Sequence, residues 1–426
     1  MGQRHRTNLA GCFVVSLAVA STGACLPSRP LPAVTAMATK PLLPTEVATP
    51  TAEPSPTAQP TPTTVLPTAD PSLRLMFVTW VDGSGWQRPS DPPLAFADTA
   101  GAAIPSPSWA EDLAQADGDF MIWSADGRYL AFSGYAEDEE RKHYDIPVLR
   151  VTEPTAGRTF TVTPEGYYYS PYGGGPTWSP DSSQLAVSLQ VPPMPAPAVY
   201  LAAPRPSVPK QVTAGGALFP SWSPVDNRLA YLEYAPSDPS CGPFPSDRCD
   251  VLTLRVHNLD TGADTLLLED VHLSDEALEH AFAYNAPAWA PDGRNLVVFT
   301  GGDHGDLVAV DADTGERRVL APSVEGGAYA AIAPNAKSVA YVSRSSSNDE
   351  IMLVPWDGGE ETNLTNNPSS DINPVWSPDG RFIAFLRGSP SGTYRLHILD
   401  LIGGEIRPVY GHIVSTRPAW IPRSAP

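Results

Sequence analysis

The sequence predicts an all-β chain folded as a β-propeller of four-stranded blades. Seven blades closed by a C-terminal strand is the expected count; six is the alternative, if the N-terminal strands form a separate cap. Three observations lead there. A Trp-Ser-Pro-Asp-Gly unit recurs with intervals of 55, 44, 67, 43, 44 and 44 residues between anchors, and strand-like units repeating near that period mark a propeller. The 426 residues include 49 prolines, about twice the ordinary share of ~5%, which excludes a helical bundle or coiled coil. Disorder throughout is excluded by 42% hydrophobic and 9% aromatic residues, enough apolar surface to form a core.

The first copy reads Trp123-Ser-Ala-Asp-Gly-Arg-Tyr-Leu-Ala-Phe132. It recurs as Trp178-Ser-Pro-Asp181, Trp222-Ser-Pro224, Trp289-Ala-Pro-Asp-Gly293 and Trp376-Ser-Pro-Asp-Gly380. Ile332-Ala-Pro-Asn335 is a degenerate copy, and Trp420-Ile-Pro422 a truncated one. The Trp lies on a first strand, where a large ring fills the wedge between blades. Asp126, Asp181, Asp292 and Asp379 belong to the turn into the second strand, where a following Gly tolerates positive φ. Second strands such as Phe382-Ile-Ala-Phe385 are apolar on both faces, as a strand sandwiched between neighbours must be. Gly turns as in Leu307–Glu316 and Leu396–Glu405 join third and fourth strands. Trp420 has a first strand and no second, whereas Leu73–Trp80 reads as a second strand and Pro93–Gly101 as a third with its turn. One C-terminal and three N-terminal strands thus complete a blade and hide its edges.

The unit, followed two residues later by Ile or Leu and then Ala-Phe, resembles the TolB-type, WD-repeat-like β-propeller repeat over about residues 73–422. That resemblance implies the fold strongly and function weakly. Members of the family sit outside the cytoplasm and act largely as protein-binding platforms. The repeat is also similar to the propeller that gates prolyl-oligopeptidase-like enzymes. Catalysis there lies in an added α/β-hydrolase domain, for which the sequence through residue 426 leaves no stretch.

The N-terminus reads as an address. Arg4 and Arg6 precede an apolar run from Leu9 to Ala20, too short to span a bilayer, and small residues follow. This is the layout of a secretory signal, residues 1–24. Cys25, directly after Gly-Ala, resembles the lipidated cysteine of the bacterial lipobox, with Thr22 where Leu, Val or Ile is usual. Residues 26–71 hold 12 prolines and 10 threonines and cannot bury enough apolar surface to fold. They read as a tether, so residues 25–72 link a membrane to a folded head at 73–426. The expected localisation is exported and lipid-anchored, facing the periplasm or exterior.

Lys and Arg total 27 against 47 Asp and Glu. This balance opposes nucleic acid and an electrostatic grip on anionic lipid. Membrane contact is expected only through the anchor, and the head is expected to be a monomer. The excess over a 44-residue period falls in loops between second and third strands or between blades, which share one face. These are Tyr135–Tyr144, Pro164–Gly175, Ala235–Asp250 and Leu273–Ala286. A binding site is expected there. Tyr167, Tyr168, Tyr169 and Tyr172 are the candidate ligand-facing residues, with Trp86 a further one. The competing expectation is that two or three of the tyrosines pack on the neighbouring blade.

Cys241 and Cys249 are expected to staple their loop as a disulfide in an exported protein; Cys12 lies in the signal. Ser274–Phe282 reads as a short helix capped by Ser274. His272, His280 and Glu279 fit no standard metal spacing and read as loop residues. Asp311-Ala-Asp-Thr-Gly-Glu316 lacks the further acids of a calcium loop and reads as a turn. No metal and no cofactor is expected. Gly-x-Ser-x-Gly, His-Glu-x-x-His and phosphate-cradling motifs are absent from the sequence, and Ser207-Val-Pro-Lys210 lacks a helical setting. The reading is a non-enzymatic scaffold binding an envelope protein or glycan. Its rival is a glycan lyase or hydrolase with acids and His in the central channel.

Overall fold

Each repeat builds an antiparallel meander of four strands. The computed structural model describes residues 72–80, 94–113, 116–136, 146–169, 174–192, 196–234, 251–272, 286–301, 304–345, 348–389, 393–414 and 417–425. Strands Asp371–Trp376, Phe382–Gly388, Tyr394–Asp400 and Glu405–Val414 form one such meander, with Trp376 opposite Ile383, Phe385 opposite His397 and Asp400 opposite Glu405. The second strand is buried from Phe382 to Leu386. Its alternate side chains enter two different cores, because successive residues of a strand point to opposite faces. Phe382, Ala384 and Leu386 join Leu75, Phe77 and Trp420 on one side. Ile383 and Phe385 join Ala340 and Ile351 on the other. A meander packed on both faces by its neighbours is a propeller blade, and the chain is an all-β β-propeller.

The turn after the anchor explains the rest of the motif. In Ser377-Pro-Asp-Gly380 the Gly N–H donates to the Ser carbonyl at 2.9 Å. That is a four-residue turn with Pro at the position whose φ it pre-sets. The Ser377 hydroxyl donates to Asp379 at 2.6 Å and accepts from the Phe382 N–H at 2.9 Å. Ser124 with Asp126 and Ser179 with Asp181 repeat this clasp at 2.7 Å. Proline two residues before the anchor also has a reason. Pro220 and Pro374 sit where first strands slip register, just after Phe219 and Asn373 at φ +52° and +58°. A bulge leaves a residue outside the ladder, so a missing N–H costs nothing there.

The anchor indoles stitch repeats together. The N–H of Trp178 donates to the Ile122 carbonyl at 3.0 Å, Trp289 to Ser221 at 2.8 Å, Trp376 to Ala331 at 2.9 Å and Trp420 to Val375 at 3.2 Å. Each acceptor immediately precedes the anchor of the previous repeat. First strands of successive repeats lie against one another, for example Ala328–Ile332 against Asp371–Trp376. First strands therefore gather on the inside.

The two ends of the propeller meet in one sheet. Strand Arg74–Trp80 pairs with Ala419–Trp420 on one side, placing Leu75 opposite Trp420, and with Leu94–Asp98 on the other, itself paired to Ala103–Ile104. Among the described residues the strands fall into five hydrogen-bonded sheets, two of them eight-stranded. They do not separate into one sheet per repeat because two outer strands run on to the next repeat. Asp264–His272 places Val271 opposite Thr300, and Glu405–Val414 places Val414 opposite Thr79. Among the described residues no helix is long and apolar enough to cross a membrane.

Gly127 ends the first Ser-x-Asp-Gly turn at φ +69°, and a Cβ there would stand 2.7 Å from the Ala425 nitrogen. Gly157 has a similar φ of +57° but open space around it. Gly127→Ala is expected to cost about 2–3 kcal/mol and Gly157→Ala about 1 kcal/mol, since only the first adds a backbone clash to the strain. Urea denaturation of both variants checks the order.

Candidate functional site

First-to-second and third-to-fourth strand connections share one face, here called the turn face. The remaining connections share the opposite, loop face. Cys25, Trp86, Tyr172, Cys241, Cys249, His280, Glu279 and the Ser274–Phe282 segment lie outside the described residues, and His272 only ends the strand Asp264–His272.

The tyrosine run at the loop face divides by strand alternation. Tyr168–Tyr169 is a two-residue strand paired with Leu189 and Gln190. Neighbouring side chains must then point opposite ways. Tyr168 is 41% exposed, whereas Tyr169 is 2% exposed. The Tyr169 hydroxyl donates to the Gly174 carbonyl at 3.0 Å, and its ring packs against Phe120 at 5.4 Å. Tyr169 is therefore a core residue and does not face a ligand. Tyr167 is half-buried with its ring edge-on to Tyr200 at 5.9 Å. Of the three described tyrosines, Tyr168 is the one presented to solvent.

A second group at the loop face was not legible in the sequence. Asp371 is fully buried, and Arg387 grips it through Nε and Nη2, both at 2.8 Å. Asn367 donates to the same carboxylate at 2.5 Å. Glu350, 3% exposed, accepts from the Asn348 amide at 2.7 Å, the Asn367 N–H at 3.0 Å and the Thr365 hydroxyl. Arg387 also covers the Phe385 ring, with which the imidazole of His397 stacks at 5.6 Å. Burial, with the Arg387 charge adding to it, holds His397 below its ordinary pKa. Asp371 is held by Arg387 of its own repeat and by Asn367 of the connection that precedes it, whereas the donors to Glu350 lie in its own repeat and in that same connection. The group is a latch on the connection between two repeats, with each carboxylate already occupied by neighbouring donors.

The third group joins Tyr, His and carboxylates, the mixture an enzyme would need. The Tyr231 hydroxyl donates to Asp264 at 2.6 Å, Arg255 Nε donates to it at 2.7 Å, and His257 Nδ1 lies at 3.2 Å. Burial first, then the bond to Asp264, pushes the Tyr231 phenol far above its usual range, so it stays a donor. Burial also raises Glu233. The group sits on second, third and fourth strands, away from the first strands that gather inside. Its core also recurs: Tyr341, at the matching place on its second strand, donates to Glu361. A bond repeated between second strand and fourth-strand side belongs to the architecture.

Turn-face acids follow the same rule. Asp311 accepts from the N–H groups of Asp313 and Thr314 at 3.0 and 2.9 Å, the turn that was expected. Asp400 accepts from Arg381 Nη2 at 2.8 Å and the Ile402 N–H at 3.0 Å. Ser207–Lys210 runs into the strand Lys210–Gln211, as expected. Among the described residues no group of three or more His, Cys, Asp or Glu is placed to hold a metal ion.

One repeated element escaped sequence reasoning altogether. Thr163, Thr213 and Thr365 accept the backbone N–H of Leu149, Val199 and Ile351 at 2.8, 2.9 and 3.0 Å. Each Thr lies 14 residues beyond its donor and follows an apolar residue. That fixed offset is the signal a sequence search could have used.

No family model matches the chain. Over 84 residues it is 34% identical to the TolB homolog of Chlorobaculum tepidum, a stretch covering 20% of this chain and 19% of that relative. The match thus spans about a fifth of the relative's length. Among solved structures, the β-propeller domain of the trilobed protease from Pyrococcus furiosus superposes with a TM-score of 0.50 at 11% identity, over 75% of this chain and 86% of that one. A puromycin-hydrolysing peptidase of Mycobacterium tuberculosis gives 0.51 at 16% identity, over 85% of this chain and 56% of that one. The chain is a β-propeller with a repeat similar to that of TolB.

Asp400 is held below the ordinary carboxylate range, first by its bond to Arg381 and then by backbone N–H groups. Its folded pKa lies under its unfolded value of about 3.9. Its contribution is therefore complete above that pH and is lost as pH falls through the folded pKa. Asp181, bonded to Ser179 and Ser183, shifts the same way. The urea midpoint is expected to drop between about pH 5 and about pH 3. Asp400→Asn starts lower near neutrality and drops less over that range.

Proposed function

We propose that this chain is a lipid-anchored, extracytoplasmic propeller of seven blades that binds a protein or glycan of the cell envelope through its loop face. Seven sets of four strands support the blade count. The closing set combines Ala419–Trp420 with Arg74–Trp80, Leu94–Asp98 and Ala103–Ile104. The sequence supports the rest of the layout: a signal at 1–24, Cys25 as anchor, a tether to 72, the head at 73–426 and a Cys241–Cys249 staple.

The observation that carries the binding reading is Tyr168. It is a large aromatic ring, 41% exposed, on a strand fixed by Leu189 and Gln190 and backed by the buried Tyr169. A rigid, exposed tyrosine offers contact area at little entropy cost. It sits on the face where the sequence inserts its extra residues. The polar clusters on the blades are consumed by one another, so they leave recognition to the loops.

The mature chain, immobilised and incubated with envelope extract, is expected to capture a component that Tyr168→Ser captures at least several-fold less well. Recovery of nothing by the parent chain counts against the binder. Release of new reducing or unsaturated ends from envelope glycan would favour the lyase or hydrolase. For the anchor, radiolabelled lipid is expected to enter the parent chain and not Cys25→Ser; label persisting in the variant removes Cys25 from that role.

A further inference from the structure

We infer that the segment 203–209 is a second recognition element, presented on the turn face to a protein partner whose groove is lined by aromatic rings. On that face third strands return to fourth strands through turns ended by a glycine at positive φ, as at Gly101, Gly262, Gly315 and Gly404. The N–H of each donates back to the residue that opens its turn, Asp98, Asn258, Asp311 or Asp400, at between 2.7 and 3.0 Å. One repeat departs from this. Between the strands Ala198–Ala202 and Lys210–Gln211 the chain reads Ala203-Pro-Arg-Pro-Ser-Val-Pro209, with no glycine. Among the described residues no bond of that kind closes it. The interval from Trp178 to Trp222 is still 44 residues, so the change leaves no mark on the repeat length.

The composition of this segment stiffens it. Its three prolines have φ fixed near −65°. Ala203, Arg205 and Val208 each precede a proline and are pushed toward extended backbone. Ser207 alone escapes both restraints, so little conformational entropy is left to lose on binding. Both ends are also held. Other repeats seat a turn glycine on the preceding outer strand, as Gly315 does against Leu267. Here Arg205 does the seating: it donates to Glu153 at 3.2 Å and lies 5.9 Å from the centre of the Phe160 ring, both in the preceding repeat. Pro209 is buried at the far end. Between them Pro206, Ser207 and Val208 are exposed. Val208 is 80% exposed, more than any other large apolar side chain among the described residues. Reversing the chain requires none of this, since a glycine turn does it elsewhere in the ring. An extended proline segment holding an apolar side chain in water fits a groove of aromatic rings, which takes such a ligand ready-made. Arg158 and Arg205, each about half exposed, and the exposed Lys210 flank it. On a chain of net charge -20 they form a local basic rim, which an acidic rim on the groove would complement.

The probe is a synthetic peptide of residues 202–211, used to elute envelope extract from the immobilised chain. A protein is expected to leave with this peptide, and roughly tenfold less with the same peptide carrying Val208→Ser. In the chain, Val208→Ser is expected to lower capture of that protein roughly tenfold. Pro206→Ala is expected to lower it roughly threefold, since backbone freedom returns to the segment. The peptide arm reads the contact independently of how the chain variants fold. Capture of the same protein by Tyr168→Ser is expected to stay unchanged, which separates this partner from one held by the loop face. Titration of the purified protein with the peptide is expected to shift its intrinsic aromatic fluorescence. Elution of nothing, equal elution by both peptides, full capture by Val208→Ser, or loss of the eluted protein with Tyr168→Ser overturns the inference. So does an eluted component that survives protease digestion of the extract, or a purified one whose fluorescence the peptide leaves unmoved.

Discussion

Everything in this fold depends on second strands being buried from both sides. A strand such as Phe382–Gly388 has no solvent face, so no repeat can satisfy its own hydrophobic surface. Each needs a neighbour on either flank, and the first and last repeats need each other. The pairing of Leu75 with Trp420 is thus a condition for the rest and not a local detail. The indole bonds from Trp178, Trp289, Trp376 and Trp420 add direction to that packing. Each reaches back one repeat, to the carbonyl just before the preceding anchor. The indoles of Trp123 and Trp222 make no such bond among the described residues. Both fall at the start of the repeats with the long insertions, where spacing departs from 44 residues.

The same constraint disposes of most polar chemistry. Where a blade leaves its apolar centre, its buried charged side chains must be matched by neighbours, since an unpaired buried charge costs several kcal/mol. Asp371 with Arg387, Glu350 with Asn348 and Thr365, and Asp264 with Tyr231 and Arg255 meet that demand. Such groups imitate active sites in composition. Repetition at matching positions, seen for Tyr231 and Tyr341, marks that bond as architecture. Recognition is left to residues that the packing does not need, and Tyr168 is one of them.

Much of the scaffold was legible because each motif residue answers to a local rule. Pro and Gly follow from the turn, the serine and aspartate from their clasp, and the apolar second strand from two-sided burial. The latches were not legible, because Asp371 and Arg387 lie 16 residues apart and nothing local marks them as partners. The Thr163, Thr213 and Thr365 bonds were within reach, since their offset from the third strand is constant. The run Tyr167-Tyr168-Tyr169 read either as ligand-facing or as packed on the neighbouring blade, and only pairing with Leu189 and Gln190 separated an exposed ring from a core ring.

By itself the sequence determined the repeat, its turns and the pairing of one C-terminal strand with three N-terminal ones. These are set by contacts within a few residues or by a fixed period, which a linear chain records. Only the tertiary structure decided which side chains of adjacent repeats meet. It also decided that outer strands run on into the next sheet. Those are relations between separate repeats around an axis, and the distance between two residues there depends on how every blade between them is packed.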